Sequence, residues 1–140
     1  PKSSAEARAI FTHLTRELAL EINARFGVTL KAHPSAVAVL QRNLRQRLKG
    51  KAATSEAHQR EVRRHAACLS ELVIRVIGGQ WIDLASPIAS DWALFVLPST
   101  RTWPFASVAH FAAQEDDRDL VSYYLALELR ALRARGDSAR

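Results

Sequence analysis

Apolar residues recur every three or four positions along three long stretches of the chain, and glycine follows each stretch. The stretches are residues 11–26, 37–48 and 62–76, and the glycines are Gly27, Gly50 and Gly78. Such spacing places the apolar side chains on one face of an α-helix, and glycine readily takes the left-handed conformation that ends a helix. The pattern therefore predicts a domain of amphipathic helices that pack around a shared core.

Capping residues set the expected helix boundaries, because serine, threonine and aspartate accept hydrogen bonds from the free N–H groups of a first helical turn. We expect five or six helices, which run from Ser3 to Gly27, from Ser35 to Gly50, from Thr54 or Ser55 to about Ile77, from Pro104 to Ala113, and from Asp116 or Asp117 to about Ala134. Residues 1–136 then form one helical domain, and residues 137–140 form a frayed tail.

The sequence pattern of residues 80–105 is compatible with two secondary structures, a helix and a buried strand. A helix from Ser86 to Leu97 would follow the serine–proline order of a helix start. The end of the same segment is equally typical of a buried strand, because a short apolar run has no readable period. The expected fold class is therefore mainly α, a single-domain bundle of five or six helices. A short two-stranded β element is the open alternative, around Val73–Leu84 and Ala93–Leu97.

The composition is that of one ordinary globular domain. The chain has 140 residues, of which 48% are apolar and 24% charged, a balance typical of a folded protein. Its single cysteine, Cys68, excludes an intrachain disulfide. No apolar run approaches the roughly 20 residues that cross a membrane. We therefore expect a cytoplasmic protein without membrane association.

Positive charge is concentrated in one part of the chain. The net charge is +6, and no acidic residue lies between Glu21 and Glu56. The same window holds seven basic residues: Arg25, Lys31, Arg42, Arg45, Arg47, Lys49 and Lys51. A surface with this imbalance favours a polyanion or an acidic partner.

The predicted second and third helices hold most of this charge. On the second helix, Arg42, Arg45 and Lys49 share one flank of the apolar stripe, and Arg47 and Lys51 share the other. Packing of the two helices as a hairpin would merge their charges into one nucleic-acid-binding patch: Arg42, Arg45, Arg47, Lys49, Lys51, Arg60, Arg63 and Arg64. Three amides would add hydrogen bonds to sugars or base edges: Gln41, Asn43 and Gln46.

Two other interpretations of the basic patch stay open. Charged residues on a helix flank keep a protein soluble without any ligand, and the same charges would suit an acidic protein surface. The aromatic residues that single-strand binders place among their cations do not occur in this segment. The leading expectation is a non-enzymatic regulatory protein that binds DNA or RNA electrostatically.

No motif in the sequence is diagnostic of a reaction or of a protein family. Phosphate-binding loops and nucleophile elbows do not occur. Residues of metal-binding type follow one face of the third helix, at His58, Glu61, His65 and Cys68. The first and last of them would lie about 15 Å apart, too far to share an ion. The acidic residues after His110 are explained as the start of a helix: Asp116, Asp117 and Asp119. We expect no catalytic residues, no metal and no cofactor.

Residues 91–105 hold a second candidate surface. Aromatic and aliphatic residues are dense in this segment, and tryptophan and arginine are enriched at protein interfaces. A surface at Trp92, Arg101, Trp103 and Phe105 would serve a protein–protein adaptor, an inhibitor or a homodimer. The alternative is that the segment forms the hydrophobic core of the domain.

Overall fold

The computed structural model describes residues 4–31, 33–82, 92–96, 100–113 and 119–138 of the chain. Within these residues the elements, in chain order, are α1 (Ser4–Phe26), α2 (Ser35–Leu48), α3 (Glu56–Val76), β1 (Gly79–Ile82), β2 (Ala93–Val96), β3 (Thr100–Thr102), α4 (Pro104–Ala112) and α5 (Leu120–Ser138). The prediction of a mainly helical fold with a short β element is confirmed.

Glycines end the first three helices, as predicted. The backbone of Gly27 has a φ of 65°, that of Gly50 a φ of 75° and that of Gly78 a φ of 101°. These values lie in the left-handed region, which glycine enters without the steric cost that a Cβ atom imposes. The sharp stop after α2 matters for the candidate site, because it turns the chain out of the helical path just after Leu48.

Side-chain caps begin α3 and α5. The hydroxyl of Ser55 accepts a hydrogen bond from the backbone N–H of His58 at 3.1 Å, so the predicted start of α3 at residue 54 or 55 is correct. The carboxylate of Asp119 accepts one from the N–H of Ser122 at 2.7 Å. The start that we predicted for the last helix, at Asp116 or Asp117, lies outside the described residues.

The apolar run of residues 93–96 is a strand and not the end of a helix. Ala93, Leu94 and Val96 are fully buried, because β2 lies in the centre of an antiparallel sheet with the order β1-β2-β3. A central strand buried on both faces has no alternating pattern by which the sequence could reveal it. The earlier part of the predicted helix, from Ser86, lies outside the described residues.

The close approach of β1 to β2 explains why residue 79, the second of the two glycines that follow α3, has no side chain. Gly79 lies opposite Val96 in the antiparallel register. A Cβ atom at Gly79 would lie 2.8 Å from the carbonyl oxygen of Phe95. A side chain is therefore excluded here, and the chain passes from α3 directly into the sheet.

An aromatic cluster joins the sheet to the helices. The ring of Phe11, from α1, lies 4.9 Å from Trp81, 5.0 Å from Trp92 and 5.3 Å from Phe105, measured between centroids. Aromatic pairs at such distances attract each other in addition to the apolar area that they bury. The long helix α3 packs against α1, α2 and α4, so it forms the centre of the helical layer.

Helix α5 buries one face and exposes another. Leu120, Tyr124, Leu127 and Ala131 are buried. Leu125, Leu129 and Leu132 are exposed. No helix in the described part of the chain is both long enough and apolar enough to span a membrane.

Candidate nucleic-acid interface

The eight cations of the predicted binding patch divide into two groups. In the first, which we call the paired set, each side chain lies close to a carboxylate: Arg47, Arg60, Arg63 and Arg64. In the second, the open set, no side chain forms an ion pair with a described carboxylate: Arg42, Arg45, Lys49 and Lys51. Of the eight cations, only those of the open set form no ion pair with a described carboxylate, so the part of the predicted patch without ion pairs is smaller than the sequence indicated.

Two of the paired arginines lie at the surface, and each forms an ion pair with one acid. Arg60 lies 3.1 Å from Glu17, measured from Nη2 to Oε1. Arg63 lies 3.2 Å from Glu56. Both pairs are largely exposed, and such pairs add little to stability. They nevertheless cancel local charge, which lowers the attraction of these arginines for a polyanion.

Arg64 is the buried member of the paired set. Its side chain is 5% exposed and lies 2.9 Å from Glu61 and 3.2 Å from Glu21. Glu21 also accepts a hydrogen bond from Arg47 at 2.6 Å. Arg64 is therefore part of the folded core, and it cannot contact a ligand without unfolding its surroundings.

A buried polar network extends from Glu21 to His65. The amide nitrogen of Asn43, on α2, donates to the Glu21 carboxylate at 3.1 Å and to Nε2 of His65 at 3.0 Å. Nδ1 of His65 lies 2.7 Å from the carbonyl oxygen of Glu61, which can only accept. His65 therefore carries its proton on Nδ1 and is neutral, so that the three helices α1, α2 and α3 are joined by groups that satisfy one another.

Burial and pairing shift the pKa values of two groups in this network. Burial lowers the pKa of His65 to about 4, and the positive charge of Arg64 acts in the same direction. Burial alone would raise the pKa of Glu21, but the hydrogen bonds from Asn43 and Arg47 and the charge of Arg64 outweigh it and lower the pKa to about 2. The network therefore stabilises the ionised form of Glu21 and the neutral form of His65.

We expect stability to fall as the pH drops below about 6.5, because the unfolded chain then binds a proton at His65 that the folded chain excludes. With a folded pKa of about 4, the loss between pH ~7.5 and pH ~5 is about 2 kcal/mol. Urea unfolding at the two pH values measures this loss of stability. The substitution His65→Gln should make the loss smaller. A wild-type protein that is equally stable at both pH values would contradict the buried neutral histidine.

The amides between the cations are also used within the protein. Asn43 is fully buried in the network just described. The side-chain oxygen of Gln46 accepts a hydrogen bond from Arg25 at 2.8 Å, and that of Gln41 accepts one from the N–H of Leu120 at 2.8 Å. These internal hydrogen bonds use part of the capacity of the amides, and contact with sugars or bases stays a prediction.

Aromatic rings hold two members of the open set in place. The guanidinium of Arg42 lies 5.2 Å from the ring centroid of Phe26, and that of Arg45 lies 4.3 Å from the ring of Phe111. Such contacts fix the orientation of an arginine and leave its outer N–H groups free. Asp119 is close enough to Arg45 for the arginine to contribute to its lowered pKa, although hydrogen bonds to Ser122 are the main cause.

Three members of the open set line one cleft between the end of α2 and the end of α4. The cleft has a volume of about 440 Å³ and is lined by Arg45, Leu48, Lys49, Lys51, Ala53, His58, Phe111, Ala112 and Ala113. We predicted Lys51 on the opposite flank with Arg47, and this placement is wrong. Because α2 ends at Leu48 and Gly50 turns the chain, Lys51 joins Arg45 and Lys49, although its ammonium group also donates to the Arg47 carbonyl.

The residues of metal-binding type on α3 face the interior of the protein. His58, Glu61, His65 and Cys68 are all buried, and burial raises the pKa of the Cys68 thiol to about 12. No group of three potential ligands occurs among the residues that the structure describes. Of the acids after His110, Asp119 caps α5, whereas Asp116 and Asp117 lie outside the described residues.

The aromatic surface that we predicted is split between core and surface. Trp92 and Phe105 are buried in the aromatic cluster. Arg101 is exposed and Trp103 is 43% exposed. Two of the four residues are therefore unavailable to a partner, and only Arg101 and Trp103 remain at the surface.

The fold and the cleft together define a mainly helical domain with a small antiparallel sheet and one basic recess. The chain matches no protein-family model, and no curated protein or solved structure is significantly similar to it. Its function therefore has to be argued from its own residues.

Proposed function

We propose that this protein is a non-enzymatic regulator that binds nucleic acid electrostatically through the open set. The observation that carries the proposal is the convergence of Arg45, Lys49 and Lys51 on one cleft, without an ion pair to any described carboxylate. Basic side chains that are not neutralised within the protein gain free energy by releasing counterions from a polyanion. Arg42 extends the same positive surface along α2 by one helical turn.

The contacts support binding to the phosphate backbone and not to the bases. The amides on α2 accept hydrogen bonds from within the protein. Phe111 lines the cleft, but it is 4% exposed and the guanidinium of Arg45 lies over its ring, so little of the ring is available for base stacking. Contacts limited to phosphates position a protein on nucleic acid without selecting a sequence. We therefore expect binding with little base preference.

A charge-matched pair of variants tests the proposal. Arg45→Gln/Lys49→Gln removes two charges from the open set, and Arg60→Gln/Arg63→Gln removes two from the paired set. Titration of labelled duplex and single-stranded oligonucleotides by fluorescence anisotropy, at ~50 mM salt, gives the affinity of each protein. We expect the first variant to lose affinity by about tenfold or more, equivalent to roughly 1.4 kcal/mol, and the second to change little.

Two outcomes would overturn the proposal. If the unmutated protein binds no DNA or RNA at ~50 mM salt, where electrostatic binding is strong, the protein is not a nucleic-acid binder. If both double variants lose affinity equally, the cleft is not the binding surface. Thermal unfolding of each variant is the control, because a variant that unfolds would lose binding for an unrelated reason.

A protein partner is the second candidate, and the observation that favours it is the exposure of Trp103. Tryptophan in the centre of an interface often supplies much of the binding energy. With Trp92 and Phe105 in the core, this adaptor or inhibitor function would depend on Trp103 and Arg101. A partner that the protein retains after nuclease treatment, and loses on Trp103→Ala, would favour this candidate over the first.

A further inference from the structure

One polar side chain of the basic cleft has no hydrogen-bond partner among the residues that the structure describes. The imidazole of His58 lines the cleft, is 7% exposed, and forms no hydrogen bond with any described residue. The backbone N–H of His58 donates a hydrogen bond to the hydroxyl of Ser55, which caps α3. The ring nitrogens of His58 are not among the buried side-chain atoms without a hydrogen-bond partner, so they are open to the cleft. A ring N–H open to the cleft beside three cations is a hydrogen-bond donor available to an anionic ligand.

The shape of the cleft restricts which anion fits. Basic groups come from α2 and the turn after it, and Phe111, Ala112 and Ala113 supply an apolar wall from the end of α4. A phosphodiester inside a strand carries one charge and continues as backbone on both sides. A terminal phosphate monoester carries about −1.5 to −2 charges and three acceptor oxygens. Because a terminal group projects from the strand, it can enter a recess that a continuous backbone can only cross.

From this geometry we infer that the cleft receives the terminal phosphate monoester of a nucleic-acid strand. Arg45, Lys49 and Lys51 supply the positive charge, and the ring N–H of His58 donates to a phosphate oxygen. The apolar wall at Ala112 covers the sugar of the terminal nucleotide. This inference rests on the proposed function, which requires only that the protein bind nucleic acid somewhere on this surface.

The test compares oligonucleotides of one sequence that differ only at their ends: 5′-phosphate, 3′-phosphate and hydroxyl at both ends. A hydroxyl-ended oligonucleotide that is longer by one nucleotide controls for the added charge. Anisotropy titrations at ~150 mM salt reduce the contribution of non-specific contacts. We expect one of the two phosphorylated strands to bind about tenfold more tightly than both hydroxyl-ended strands. A nucleoside monophosphate should compete away this advantage, and inorganic phosphate should do so more weakly.

His58→Phe keeps the size of the side chain but removes the ring N–H, and it should abolish the advantage while leaving the affinity for the hydroxyl-ended strand unchanged. Lys51→Gln, at a partly exposed position, is the second variant if His58→Phe does not fold, and it should also abolish the advantage. Equal affinity for all ends, with binding still dependent on Arg45 and Lys49, overturns this inference and leaves the proposed function intact. An advantage that survives both substitutions also overturns it. Absence of binding to every strand overturns both.

Discussion

Replacing Arg64 with methionine should lower the free energy of unfolding by about 3–5 kcal/mol, because it leaves the buried Glu61 carboxylate without its arginine and removes one of the two arginines that pair with Glu21. Arg64 is 5% exposed and lies within 3.2 Å of both Glu61 and Glu21. The methionine chain fills part of the volume but cannot donate a hydrogen bond. Urea unfolding followed by circular dichroism at neutral pH measures the loss.

Arg60→Met is the matched control for this substitution. Arg60 also pairs with an acid of α1, since its guanidinium lies 3.1 Å from Glu17. Its side chain is 62% exposed, and exposed pairs contribute about 0–1 kcal/mol. We therefore expect a change of less than about 1 kcal/mol. Equal losses for the two variants would mean that burial does not distinguish these arginines, and the division of the cations into sets would lose its physical basis.

Replacing Trp92 with alanine should cost about 3–5 kcal/mol of stability, the range observed for large aromatic residues removed from cores. Trp92 is 6% exposed. Its ring lies 5.0 Å from that of Phe11 and 5.2 Å, edge to face, from that of Phe105. The cavity left behind would separate the sheet from α1. Chemical unfolding monitored by circular dichroism gives the change without using tryptophan fluorescence as its probe.

Trp103→Ala removes the same side chain from a position at the surface. Because Trp103 is 43% exposed and lies in none of the ring pairs of the aromatic cluster, we expect a loss of about 1 kcal/mol or less. A loss as large as that of Trp92→Ala would place Trp103 in the core and remove the observation that favours a protein partner.

The helices could be predicted because their signals are local. Ser55 caps α3, and glycines at 27, 50 and 78 end the first three helices. The sheet was harder to predict, because the central strand is buried on both faces and has no alternation. The third strand, Thr100–Thr102, was not predicted at all. Its three residues carry no pattern of their own, and only pairing with β2 gives them a structure.

The candidate site could be predicted only in part, because charge is visible in a sequence and its neutralisation is not. The cations of residues 41–51 were evident from the lack of acids nearby. Arg47 is neutralised by Glu21 of α1, which is 26 positions away in the chain. Arg64 is neutralised by Glu21 and by Glu61 of its own helix. One signal was present: Glu21 and Asn43 each lie next to the apolar stripe of their helix. Polar residues on the borders of packed helices are candidates for one buried network.

The position of Lys51 shows a different limit. A helical wheel extended past Leu48 assigns Lys51 to the flank of Arg47, but the helix has ended by then. The left-handed Gly50 changes the direction of the chain, and Lys51 comes to line the cleft. A helical wheel no longer predicts the direction of a side chain beyond the helix cap. Residues just after a helix end are therefore the hardest to assign to a surface from the sequence.

The salt dependence of nucleic-acid binding tests most directly the claim that only the open set binds a polyanion. Each phosphate contact contributes about 0.9 to the slope of log K against log salt for duplex DNA. We predict that Arg45→Gln/Lys49→Gln reduces this slope by about 2, and that Arg60→Gln/Arg63→Gln leaves it unchanged within about 0.5. Equal reductions in the two variants, or a larger one in the second, would show that the acids of α1 and α3 do not neutralise their arginines, and would contradict the account.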